Sequence, residues 1–292
     1  MATAITNALS QYPLLIRMIL DETGTELAIG TGFVYEYEDH YYLITNGHCI
    51  TGVNPETNKR ISQHAGYPTS INLRLRYLIE NSKLSEAERE AATKRGTLVA
   101  AMHPNTARVK LYQDDDCREP LWYIHPEHGY QVDVVAIPLL EKQKKPAHII
   151  MLPLNLWAFE AEPEVADDVY ILGYPFGITD ALELPIWKRG SIATEPLISY
   201  NGLPKLLVDT ATRPGMSGSP VILVRSGVHH LVDGEITPET MWGTIYGFVG
   251  VYSGRIGAQN EIDAQLGIVW RKEVIEEIIQ AKVNGTIDFQ NV

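Results

Sequence analysis

Short runs of β-branched and aromatic residues, each closed by turn-forming residues, recur along almost the whole chain. They are Leu14 to Leu20, Gly32 to Tyr37, Tyr41 to Thr45, Ile71 to Leu78, Arg108 to Tyr112, Val132 to Leu139, Val169 to Leu172, Leu206 to Asp209, Val221 to Val224 and Thr244 to Tyr252. Such side chains fit a pleated, half-buried surface, and their regular interruption by turns predicts a β-barrel or sandwich. Two stretches carry helical spacing instead. In the first, Ser85 and Glu88 stand at capping-box spacing and Glu90 precedes Lys94 by one helical turn. Polar nearly all round, this helix at Ser85 to Lys94 reads as a surface insertion. In the second, from about Lys272 to Lys282, Val274, Ile275, Ile278 and Ile279 share one face, and Asn284-Gly285 supplies a stop. That stripe is expected to pack against a barrel.

The lysine-rich stretch Lys142 to Pro146 reads as a linker between two halves. We therefore expect all of 1–292 to form one unit that is mainly all-β. An N-terminal barrel covers about 12–140, a C-terminal barrel about 150–270, and the helix about 272–282.

Composition excludes several functions. With 24 basic and 36 acidic side chains the net charge is −12, and the lysines at 142, 144 and 145 are an isolated cluster. No basic stripe follows a phosphate backbone, so no nucleic-acid partner is expected. Arg17 interrupts the run from Leu14, which ends at Asp21-Glu22, and no window approaches the roughly 18 apolar residues of a membrane span. Neither a leader nor a membrane partner is expected. Two cysteines, Cys49 and Cys117, are too few for a disulfide-framed secreted scaffold, which points to a reducing, cytoplasmic location. The pairs His125/His128 and His229/His230 lack companion ligands and read as loop histidines, and Asp114-Asp115-Asp116 lacks the rest of a calcium loop. No metal and no organic cofactor is expected.

Three segments place a reactive side chain in a constrained setting. His48 follows the apolar run Tyr42-Leu43-Ile44-Thr45 at a turn, where its ring can face a cleft. Asp133 sits in the apolar strand Val132 to Pro138, and a carboxylate buried there needs a partner, for which a histidine ring NH is suited. Ser217 lies in Gly215-Met216-Ser217-Gly218-Ser219-Pro220, where flanking glycines permit a tight turn that exposes a hydroxyl and converges backbone NH groups. Taken singly, each has a plainer reading: a structural histidine, a strand-end aspartate in solvent, a common Gly-Ser loop.

Together they resemble the trypsin-like (chymotrypsin-fold) serine peptidases in the chain order His, Asp, Ser. Thr45-Asn46-Gly47-His48-Cys49 resembles that family's histidine motif, Asp133-Val134-Val135-Ala136-Ile137 its aspartate strand, and Gly215 to Pro220 its nucleophile loop. Leu172-Gly173-Tyr174-Pro175-Phe176-Gly177, Arg189-Gly190-Ser191-Ile192 and Asp209-Thr210-Ala211 are similar to the HtrA/Deg branch, without its PDZ domain. The likeness runs from about Gly30 to the final helix.

The resemblance implies a chymotrypsin-like double β-barrel with Ser217 as nucleophile, His48 as general base and then acid, and Asp133 fixing the imidazole tautomer. It implies an oxyanion hole from the backbone NH groups of Gly215 and Ser217, and substrate contacts from Ala211, Thr212, Ser253, Gly254 and Arg255. With Ala211 on the pocket floor, a small or apolar residue is expected before the scissile bond; were Arg255 to turn inward, an acidic one is expected instead. The chain departs from secreted relatives in two places. Cys49 has no cysteine partner in Ala28 to Gly32, and Met216 replaces the aspartate that receives a freed N-terminus. The long interval between His48 and Asp133 places the polar helix as an insertion in the first barrel. A protein or peptide substrate is implied, and control by a regulatory protein partner is expected of a protease without a leader. The alternative is a catalytically silent peptidase-like module that holds peptides without cutting them.

Overall fold

The computed structural model describes residues 7–21, 23–54, 67–78, 100–102, 106–114, 116–146, 149–157, 159, 161–179, 182–229, 235–238, 240–255 and 265–286. The polar helix expected at Ser85 to Lys94 lies outside the described residues. The chain forms β1 (Pro13–Leu20), β2 (Thr25–Tyr37), β3 (His40–Thr45), α1 (Gly47–Thr51), β4 (Ser70–Leu73), β5 (Arg76–Leu78), β6 (Ala100–Met102), β7 (Ala107–Lys110), β8 (Tyr123–Ile124) and β9 (Val135–Glu141). There follow β10 (Ile149–Ile150), β11 (Asp168–Gly173), β12 (Ile186–Ile192), β13 (Lys205–Asp209), β14 (Pro220–His229), β15 (Met241–Arg255), β16 (Leu266–Arg271), α2 (Glu273–Ala281) and β17 (Val283–Asn284).

An eight-stranded sheet in the order β17-β8-β9-β3-β2-β1-β4-β7 makes the first half, and β11-β12-β13-β16-β15-β14 close into the second barrel. This is the chymotrypsin-like double β-barrel. Its apolar strands lack alternation because both faces are covered. On β3, Tyr41 and Leu43 face the interior of the first half while Tyr42 and Ile44 face a core shared by the two halves. On β14, Val221 and Leu223 fill the second barrel and Ile222 joins the shared core, as do Ile268 and Trp270 of β16. The cleft between the halves is thus floored by packed, rigid strands.

The N-terminal half is not contiguous in sequence. After β16, α2 buries Val274, Ile275, Ile278 and Ile279 in the shared core, and β17 pairs with β8. The helix is also tied by polar contacts: Tyr35 donates its hydroxyl to Glu276 Oε1 at 2.7 Å, and His125 Nε2 bonds Glu277 Oε2 at 2.8 Å. Burial, followed by the Glu276 hydrogen bond, pushes the Tyr35 phenol far above its ordinary value. His125 is not a free loop histidine. It is buried, and its Nδ1 accepts the NH groups of Glu127 and His128 at 3.2 Å each. This fixes the turn that leads to Asp133. His229 is likewise buried, with Nε2 on the carbonyl oxygen of Gly243 at 3.1 Å. Ile278→Ala removes the centre of the α2 stripe and is expected to lower stability by about 2–5 kcal/mol, read from the midpoint of a urea unfolding curve.

Candidate active site

His48 lies in the first turn of α1, whose N-cap, Asn46, does not cap the helix with its side chain. Asn46 Nδ2 instead donates to the Asp133 carbonyl at 2.6 Å, and Asp133 Oδ1 accepts the backbone NH of His48 at 2.8 Å. The carboxylate therefore occupies the helix N-terminus, where orphan NH groups favour negative charge. Asp133 is not within a strand, as its apolar neighbours suggested. β9 begins two residues later, because the Asp133 carbonyl is taken by Asn46 and Val134 NH bonds Val132 O at 2.8 Å, leaving the ladder early. This irregularity turns the carboxylate towards His48.

His48 Nδ1 and Asp133 Oδ2 are 2.6 Å apart, and Ser253 Oγ donates to the same Oδ2 at 2.5 Å. With its backbone donor included, the buried carboxylate accepts three hydrogen bonds, which offsets the cost of removing it from water. The geometry assigns the proton of neutral His48 to Nδ1 and leaves Nε2 without one. Burial disfavours the imidazolium, but the Asp133 carboxylate outweighs it and raises the His48 pKa well above its ordinary value. The ion pair accordingly contributes stability that is fully present below about pH 6.5 and is lost as pH rises through the raised value.

The nucleophile loop consists of two successive turns. Arg213 O accepts Met216 NH at 3.2 Å around Pro214 and Gly215, and Met216 O accepts Ser219 NH at 3.1 Å around Ser217 and Gly218. Gly215 at φ +94° and Gly218 at φ +84° hold the left-handed positions of type II turns. Thr31 stitches this loop to the first half: its NH donates to Ser217 O and its hydroxyl to Gly215 O, both at 2.8 Å. With the Gly215 carbonyl so held, the NH groups of Gly215 and Ser217 have no backbone acceptor among the described residues.

His48 and Ser217 lie together between two hollows. One is a cleft of about 620 Å³ bordered by Asp133, Ser253, Gly254 and Trp270, and the other a pocket of about 310 Å³ bordered by Ile29, Cys49 and Pro214. Among the described residues no hydrogen bond joins Ser217 Oγ to His48 Nε2, a link often long before substrate binds. Ser253 and Gly254 do border the cleft, whereas Ala211 and Thr212 are not among its lining residues, Thr212 being buried against the Tyr252 hydroxyl. The side chain of Arg255 lies outside the described residues. Cys49 and Cys117 are not joined by a disulfide. Three contributors escape inspection of the sequence: Thr31, Asn46 and the hydroxyl of Ser253. Asn46 stands inside the histidine motif quoted above, and both it and Thr31 adjoin glycines, Gly47 for the one and Gly30 and Gly32 for the other, whose Cα atoms are closely approached.

Residues 30–228, which contain His48, Asp133 and Ser217, match the model of the trypsin-like peptidase domain. The chain belongs to the trypsin-like peptidase family. It is a serine protease by that membership. Among solved structures, this trypsin-like peptidase is similar to an inactive serine-to-alanine mutant of Mycobacterium tuberculosis Rv3671c at 16% identity, TM-score 0.44, covering 97% of each chain. The inactive form of the Rv3671c protease gives 16% identity and TM-score 0.43, over 94% of this chain and 89% of that one. No curated protein matches the chain.

Two outcomes follow for this trypsin-like peptidase. In Asp133→Asn the His48 ring is expected to titrate at lower pH than in the parent, as followed by NMR of its Cε1 proton. Gly218→Ala puts a methyl 2.0 Å from the Thr31 carbonyl, which is already held by Thr45 Oγ1. A loss upwards of about 2 kcal/mol is expected in thermal unfolding.

Proposed function

We propose that the chain is a serine endopeptidase that cuts peptide bonds through an acyl-enzyme, with His48, Asp133 and Ser217 as its triad. The observation that carries this reading is the His48–Asp133 hydrogen bond at 2.6 Å, placed on the same cleft edge as Ser217. Ser217 Oγ attacks the carbonyl carbon while His48 Nε2 takes its proton. The NH groups of Gly215 and Ser217 receive the developing oxyanion, and one such donor is worth about 3 kcal/mol in the transition state. His48 then returns the proton to the leaving amine, and the C–N bond breaks. Water, deprotonated by the same nitrogen, attacks the acyl ester and frees Ser217. Asp133 stays ionised throughout, fixing the Nδ1–H tautomer and stabilising the imidazolium. The substrate is an extended polypeptide with a small or apolar residue before the scissile bond.

The open Ser217–His48 link supports two further readings. One is a resting site that awaits a regulatory protein partner; the other is a module that holds peptides uncut. A fluorophosphonate probe is expected to label Ser217, with labelling lost in His48→Ala, and Ser217→Ala is expected to reduce kcat/KM on an unfolded protein by roughly 10⁴-fold or more. Rapid casein hydrolysis by the isolated chain sinks the partner requirement. Absence of labelling with peptide binding intact sinks the enzyme reading in favour of the module.

A further inference from the structure

Resting on the endopeptidase reading, we infer that Tyr252 determines substrate choice by filling the space that the side chain before the scissile bond must enter, which limits that residue to glycine, alanine or serine. The path of a substrate follows from strand pairing. β15 pairs with β14 as far as Pro220↔Val251, after which the nucleophile loop takes the edge, with Gly218 NH on Tyr252 O and Tyr252 NH on Ser219 O, each 2.9 Å. The opposite edge remains bonded to β16, through Tyr252↔Val269 and, past a one-residue bulge at Ser253, through Gly254↔Ile268 and Arg255↔Gly267. From Ser253 onward, among the described residues, no strand pairs with the edge that faces the cleft and Ser217. An extended peptide adds to such an edge by main-chain hydrogen bonds, and its side chains alternate as those of a strand do.

Successive residues of β15 define where those side chains go. Ser253 points to Asp133 in the cleft, and Tyr252 points the opposite way, into the second barrel, with 1% of its surface exposed. A substrate side chain directed to the barrel side beside Ser217 therefore meets the Tyr252 ring. That ring bridges the two walls available to it. Its hydroxyl bonds Thr212 Oγ1 on the segment leading to the nucleophile, and a Cβ on Gly267 of β16 would fall 2.5 Å from ring atom Cε2 and 3.3 Å from Cζ. Position 267 is glycine because the ring lies against it. Both backbone hydrogen bonds of Tyr252 go to the nucleophile loop, which fixes its main chain beside Gly218 and Ser219, while the hydroxyl bond to Thr212 Oγ1 holds the ring.

The test uses fluorogenic peptides identical except for alanine, leucine or phenylalanine before the cut. The parent is expected to favour alanine over phenylalanine by on the order of 100-fold in kcat/KM. Tyr252→Ala is expected to raise cleavage at phenylalanine at least about tenfold relative to alanine, while Tyr252→Phe, which retains the ring, keeps the alanine preference. Fluorophosphonate labelling of Ser217 in each protein separates the cases. A labelled Tyr252→Ala that gains nothing at phenylalanine overturns the inference alone. Should that variant not fold, peptidyl phosphonates ending in alanine or phenylalanine are compared on the parent, and equal inactivation rates overturn it equally. Failure of the parent to label or to cleave any peptide overturns the endopeptidase reading, and this inference with it.

Discussion

Everything in the cleft depends on one buried carboxylate. Asp133 cannot remain charged inside the protein without donors, and the three it finds come from both halves: His48 contributes its backbone NH and Nδ1, and Ser253 of β15 contributes its hydroxyl. Satisfying a single ion thus couples α1, the approach to β9 and the second barrel. A helix N-terminus is a favourable place for the charge, and the same placement aims the ring that follows the N-cap. Positioning of His48 and solvation of Asp133 are one interaction seen from its two ends.

The nucleophile loop is held by a different economy of contacts. Where relatives activated by a freed N-terminus carry an aspartate, Met216 is fully buried in the core of the second barrel. The loop is anchored by apolar burial and by the hydroxyl and NH of Thr31 on the carbonyl oxygens of Gly215 and Ser217. Thr31 is in turn fixed through its own carbonyl by Thr45 Oγ1, at the end of the strand that delivers His48. A short chain of neutral hydrogen bonds therefore links the histidine and serine segments, with no ion pair that titrates and no covalent bridge.

The His, Asp and Ser motifs were legible in the sequence because each carries unusual local demands: an aspartate amid apolar residues, and a serine between glycines. The strand content was legible too, but not its layering. Runs such as Tyr41 to Ile44 look the same whether buried on one face or on both, and only the assembled halves show Tyr42 and Ile44 in a shared core. Asp133 read as a strand residue because its neighbours are apolar, whereas the competing acceptor demand of Asn46 removes it from the ladder. Ser253 was named only as a substrate contact, and its bond to Asp133, like the place of Tyr252, was hidden for a simpler reason. Their partners are distant in sequence, and no local pattern marks a hydroxyl that meets Asp133 or a ring that meets Gly267.

That difference separates the chemistry of the site from its specificity. Catalysis of acyl transfer needs a base, its orienting carboxylate, a nucleophile and two NH donors in one geometry, so few residue types serve and they stand out in a sequence. Specificity needs only a volume, and a volume can be closed from any wall by any side chain long enough to reach. Here the ring of Tyr252, buried in the second barrel against Gly267 and bonded to Thr212, is the side chain inferred to close that volume. The main chain of Tyr252 bonds Gly218 and Ser219, so the residue that carries the ring also borders the nucleophile loop.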